Sequence, residues 1–133
     1  MKKICIIFNP KAGNSKLAKL NKIIAELNKN NAVTLFETSV AGDATNIART
    51  ESANFDIIVA AGGDGTINEV ANGIKSNTPL AIIPMGTANI VAIEAGISNS
   101  NKVICDAINI GKTKKVYVSN INNKKFSHNL FMV

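Results

Sequence analysis

Four short, largely apolar runs constrain the fold more than any other feature of this chain. They are "KKICIIF" (2–8), "AVTLFET" (32–38), "FDIIVAA" (55–61) and "PLAIIP" (79–84). The third is apolar at consecutive positions, as a strand is when both faces of its sheet are covered. Segments of helical period lie between the runs. "SKLAKLNKIIAELNKN" (15–30) puts Leu17, Leu20, Ile24 and Leu27 on one stripe, with Lys16, Lys19, Lys22, Glu26 and Lys29 mostly on other faces. Gly42-Asp43 opens a second helix, with Asp43 as its expected N-cap and Ala44, Ile47 and Ala48 inward. "TINEVANGI" (66–74) spaces Ile67, Val70, Ala71 and Ile74 as a third. "TANIVAIEAG" (87–96) and "NKVICDAINIG" (101–111) are two more, ending at Gly96 and Gly111. Strands and helices alternating with short connections imply an α/β fold: a parallel sheet with helices on both faces, in three layers.

After Gly111 the pattern changes. Val116 and Val118 alternate, "NINNKK" is polar, and Phe126, Leu130 and Met132 alternate again, which predicts a hairpin. Its second strand runs to Val133, so the expectation is that a β-rich second domain belongs beyond the chain. The domain reading is therefore 1–111 as an α/β nucleotide-binding unit and 112–133 as the start of that second domain.

The 133 residues suit one domain plus the beginning of another, with 46% hydrophobic content arguing against disorder. Cys5 and Cys105 lie inside apolar segments without metal-like spacing, and both are expected as buried thiols. "MKKICIIFNP" is too short in its apolar part for a signal peptide, and no window is long enough to span a bilayer. A cytoplasmic protein is expected, with room for a peripheral position at the inner membrane surface. A net charge of +6, from 15 basic and 9 acidic residues, favours anionic partners. Scattered lysines with few interleaved aromatics argue against nucleic acid. The exposed final strand allows pairing into a homodimer. His128 stands alone on a strand pattern and is given no metal or catalytic role.

Ligands of a parallel sheet bind at the carboxyl ends of its strands, and the unusual residues gather there. They are Asn9 to Gly13, Thr38 to Asp43, Gly62 to Thr66, and Met85 to Asn89. In "GGDGTINEV" (62–70) the glycines allow a phosphate close to the backbone and to the amides of a helix start. Asp64 puts a carboxylate in the same place. It suits phosphoryl transfer if Mg²⁺ lies between it and a phosphate, or if it faces an acceptor hydroxyl. Capping the following helix is its other reading. "NPKAGNSK" (9–16) is a second glycine-bearing turn and lacks the Walker pattern.

"NPKAG" after the first strand, "GGDGTINEV" after the third and "PMGTANIVAIEAG" after the fourth together resemble the diacylglycerol kinase catalytic domain family, which includes bacterial lipid kinases and the sphingosine kinases. The resemblance covers nearly the whole chain. "GGDGT" is shared with NAD kinases, whereas the GTAN segment backed by Ala92, Glu94 and Gly96 narrows the match to the lipid kinases. It implies a fold of the NAD kinase and diacylglycerol kinase type, and an enzyme of phospholipid metabolism that moves the ATP γ-phosphate to a lipid hydroxyl with Mg²⁺. By motif, Asn9, Pro10, Lys11, Ala12, Gly13, Thr38, Gly63, Asp64, Gly65, Thr66, Ile67, Asn68, Glu69 and Thr87 are the implied nucleotide-binding residues. Asp64 is the implied catalytic one. The frequent family form is GTANDFA, and here Ile90 and Val91 replace the Asp and Phe, a difference that bears on acceptor contacts. The family's metal-binding aspartate and base belong to its second domain, so these residues alone are expected to bind nucleotide weakly and to catalyse poorly. Diacylglycerol, a sphingoid base, phosphatidylglycerol and undecaprenol are all compatible acceptors. Two other functions compete: an NAD kinase, against which "PMGTAN" argues, and a non-catalytic nucleotide-sensing domain.

Overall fold

A computed structural model of the protein describes residues 1–12, 14–75, 77–86, 89–94, 96–119 and 125–131. Along the chain come β1 (Lys3–Phe8), α1 (Asn14–Leu27), β2 (Ala32–Glu37), α2 (Asp43–Glu51), β3 (Ile57–Gly62) and α3 (Asp64–Gly73). Then follow β4 (Leu80–Pro84), α4 (Ile90–Glu94), α5 (Asn101–Ile110), β5 (Thr113–Ser119) and β6 (Lys125–Phe131). The strands form one sheet in the order β2-β1-β3-β4-β6-β5. The first four are parallel. The hairpin continues the sheet: β6 meets β4 in parallel at Leu80–Leu130, and β5 pairs antiparallel with β6.

The consecutive apolar residues of the strands divide between two cores. Ile4, Ile6, Phe8, Ile57, Val59, Ala61, Ala81 and Ile83 face one side, against Leu20, Ile23 and Leu27 of α1 and Ile104, Cys105 and Ile108 of α5. Cys5, Ile7, Ile58, Ala60, Leu80 and Ile82 face the other, against α2, α3 and Ala92 of α4. Right-handed crossovers require this division. The chain moves one way from β1 to β2, then reverses toward β3 and β4, which puts α1 opposite α2 and α3.

Several local expectations shift. Leu17 is 37% exposed, whereas Ile23 is fully buried. At 100° per residue Leu17 lies about 90° from the centre of the Leu20–Ile23–Leu27 stripe. Asp43 is not the N-cap of α2. Gly42 holds that position at φ 92, and Asp43 is the first helical residue. The third helix begins at Asp64 rather than Thr66, with extended Gly63 as its N-cap. The fourth is shorter than expected, although Gly96 does turn left-handed at φ 73. Ser100 caps α5 by accepting from Val103 N, and Gly111 ends it at φ 78. Met132 and Val133 of the predicted hairpin lie outside the described residues.

Both cysteines are free and buried. Burial, followed by the nearby Glu51 carboxylate, pushes the Cys5 thiol up to about 12. No helix among the described residues is long and apolar enough to cross a membrane.

Candidate functional site

The strand register brings the loops to one edge. Phe8 pairs with Glu37 on one side and Ala61 on the other, and Gly62 pairs with Pro84. The residues that follow these strands therefore leave the sheet together. Between β1 and β3 the chain direction across the sheet reverses, and the loops there separate to opposite faces, opening a crevice. A cleft of about 520 Å³ lies there, lined by Asn9, Lys11, Lys16, Gly62, Gly63, Met85 and Gly86. Among the described residues two lysines and no carboxylate line it. The cleft is therefore built to attract an anion.

Its floor is a contact between two backbones. A Cβ on Gly86 would stand 2.6 Å from Gly63 Cα, and one on Gly63 would stand 3.2 Å from Gly86 Cα. Side chains at either position would part the β3 and β4 loops. Met85 N donates to Gly62 O at 2.9 Å, which extends the sheet pairing into this contact. A Cβ on Gly62 would meet Thr66 Oγ1 at 2.7 Å, so the glycine makes room for a threonine that is only 6% exposed.

Each loop is held by a side-chain oxygen that accepts a backbone N–H. Asn9 Oδ1 accepts from Lys11 N at 3.0 Å, closing the turn after β1. Asn89 Oδ1 accepts from Gly86 N at 2.8 Å, and Asn89 itself is left-handed at φ 52, a conformation asparagine tolerates better than most residues. Asp64 Oδ2 accepts from Ile90 N at 3.0 Å, at the start of α4. The aspartate therefore does not cap its own helix but ties it to the loop after β4. Asp43 Oδ2 accepts from Ser39 N at 2.7 Å and Val40 N at 2.9 Å. These bonds, that from Val40 first, hold the Asp43 carboxyl below its usual range.

Of the residues singled out by sequence, Asn9, Lys11 and Gly63 line the cleft. Pro10 and Ala12 belong to a one-turn 3-10 helix beside it. Asp64 and Gly65 follow Gly63 directly in the first turn of α3. Thr38 stands one strand away, its N–H on Phe8 O at 2.9 Å. Ile67 has its side chain fully buried in the core, and its N–H is bonded to Gly63 O. Asn68 keeps a buried Oδ1 with no hydrogen-bond partner among the described residues. Glu69 turns to Gly42, whose N–H donates to its Oε1 at 2.7 Å. Gly13 and Thr87 lie outside the described residues. Sequence reasoning placed Met85, Gly86 and Asn89 in the loop after the fourth strand without counting them as nucleotide-binding, and gave Lys16 no site role. Lys16 had a signal, since a lysine in the first turn after a glycine-bearing loop is well placed for an anion at that helix start. Among the described residues no three histidine, cysteine or acidic side chains gather into a group that could hold a metal ion by themselves.

The description of the diacylglycerol kinase catalytic domain matches residues 3–121. A diacylglycerol kinase of Staphylococcus aureus (strain bovine RF122 / ET3-1) is 40% identical over 131 residues, which cover 94% of this chain and 42% of the relative. The chain thus spans less than half the length of the curated relatives it matches. A solved diacylglycerol kinase from Bacillus anthracis strain Sterne superimposes with a TM-score of 0.76 at 30% identity, over 93% of this chain and 45% of that one. An NAD kinase from Archaeoglobus fulgidus, solved with ATP, gives 0.56 at 18% identity over 86% of this chain and 40% of that one, a likeness of fold alone. The match runs from β1 into the hairpin and takes in every loop around the cleft: the chain belongs to the diacylglycerol kinase catalytic domain family.

Proposed function

We propose that this chain is the nucleotide-binding part of an ATP-dependent lipid kinase whose acceptor is a diacylglycerol-like hydroxyl. The observation that carries the reading is the cleft at the β1–β3 switch point, with Lys11 and Lys16 on its wall and the Gly63–Gly86 contact beneath. Glycine backbone admits phosphate oxygens closely, and the amides at the start of α3 favour negative charge. The NAD kinase of similar fold was solved in complex with ATP, which supports the use of ATP. Residues 1–111 are the nucleotide-binding unit in this reading, and the hairpin from Lys112 on opens a β-rich second unit.

In the transfer, the acceptor hydroxyl oxygen bonds to the γ-phosphorus as the bond to the β–γ bridging oxygen breaks. ADP leaves, and the hydroxyl proton passes to a base. Asp64 serves this step by holding Mg²⁺ or the acceptor hydroxyl. One carboxylate together with phosphate oxygens is a set that suits Mg²⁺, which supplies charge neutralisation when bound. A peripheral site at a membrane surface follows from the acceptor.

The test, on protein from the complete reading frame, is γ-phosphate transfer from ATP to diacylglycerol, a sphingoid base, phosphatidylglycerol and undecaprenol in mixed micelles with Mg²⁺, beside Asp64→Asn. Transfer to a lipid, reduced at least a hundredfold by Asp64→Asn (a loss on the order of removing one charge-stabilising group), is expected. Phosphorylation of NAD and of no lipid would replace the reading with an NAD kinase. ATP binding without any transfer would point to a sensing domain.

A further inference from the structure

We infer that Glu69 is a positioning residue, whose carboxylate holds the loop after β2 in the form that receives the nucleotide. The inference rests on the nucleotide reading of the cleft and on Thr38, at the start of this loop beside the cleft, belonging to the nucleotide-binding set. Glu69 lies on α3, the helix that starts beside Gly63 at the cleft floor. Its Oε1 reaches the N–H of Gly42, 27 residues earlier, at 2.7 Å. That is the length of a charge-assisted bond. Gly42 has no side chain with which to cap α2 and sits at φ 92, where few other residues are comfortable. The Glu69 carboxylate takes up the N–H of Gly42 itself, as the acidic residue of a capping box does, and its charge also suits the N-terminal end of α2.

The rest of the loop is held by bonds of its own. Ser39 and Val40 donate to Asp43, and Thr38 donates to Phe8 O, next to Asn9 of the cleft. The segment from Thr38 to Gly42 is thus tied to β1 at one end and to α3 at the other. Without Glu69 the α3 end is released, and nucleotide binding must then order the loop at a cost in affinity. A second link between the helices, Thr45 Oγ1 to Glu69 O at 2.9 Å, uses the backbone of Glu69 and survives any substitution of its side chain.

The experiment compares wild type, Glu69→Ala, Glu69→Gln and Thr45→Val in the full chain. It reads hydrogen exchange of the 39–42 amides without nucleotide, and the Kd for ATP. Glu69→Ala is expected to lose protection at 39–42 and to weaken ATP about tenfold, the scale of one charged hydrogen bond. Glu69→Gln keeps an acceptor oxygen and is expected to restore most of both. Thr45→Val is expected to lower thermal stability and leave the ATP Kd unchanged, separating loop positioning from simple weakening of the helix pair. Unchanged ATP affinity in Glu69→Ala would overturn the positioning role alone. Weakened ATP with intact protection would also overturn it, in favour of a direct contact. Wild type that binds no ATP would overturn the nucleotide reading, and the positioning role with it.

Discussion

At the scale of single residues, two neighbouring glycines of the site answer to different forces. Gly86 faces the Gly63 backbone, and a Cβ there would approach to 2.6 Å. Backbone cannot rotate aside as a side chain can, so Gly86→Ala is expected to destabilise by about 1–3 kcal/mol. It should also part the β3 and β4 loops, which denaturant unfolding and ATP titration would show together. A Cβ on Gly65 meets nothing within 4 Å. Gly65→Ala should fold as well as wild type, or be more stable by about 0.4–1 kcal/mol. Any loss of ATP affinity in it would then report a ligand approaching that backbone. Asp43 supplies a pH dependence. Its folded pKa is lowered by the bonds from Val40 and Ser39. These two bonds to Asp43 are therefore fully formed above the unfolded value of about 3.9 and are lost as pH falls through the lower folded value. Protection of the 39 and 40 amides, taken relative to the intrinsic exchange rate at each pH, should fall only in that acid window.

Among elements, α2 and α3 are the pair to probe. Gly73 sits where the two helices touch, and a Cβ on it would lie 2.2 Å from Thr45 O and 2.7 Å from Ala48 Cβ. Alanine is the better helix former by about 1 kcal/mol, yet rigid backbone on the other side decides the sign. Gly73→Ala is expected to lower stability by about 1–3 kcal/mol net, as a lower midpoint in urea unfolding. The helix faces were partly legible beforehand. Ala44, Ala48, Ile67, Val70 and Ala71 are buried as their spacing requires. In α1 the seam passes through Ile23 rather than Leu17, because apolar residues there cover more of the circumference than the sheet can accept. Glu69 gave no sign of its partner, since Gly42 belongs to a different helix and no local rule joins them.

For the whole molecule, the net charge is +6, and two of its basic residues, Lys11 and Lys16, flank the cleft. Anion binding should then weaken with salt, over a screening length of about 10 Å at 0.1 M. Lys11→Ala and Lys16→Ala are each expected to reduce ATP affinity about two- to fivefold, as solvent-accessible pairs do. Both should flatten the salt dependence measured by titration calorimetry. The amino-acid sequence by itself determined the α/β alternation, the burial of both strand faces and the placing of glycine-bearing loops at strand ends. All of these follow from local period and from residues with special backbone freedom. Tertiary structure alone decided that the loops after β1, β3 and β4 form the cleft, with Thr38 one strand away. It also decided that the two carboxylates of α3 serve loops other than their own. Strand order selects neighbours across the whole sheet, and a hydrogen bond between residues 27 positions apart forms only once that order is set.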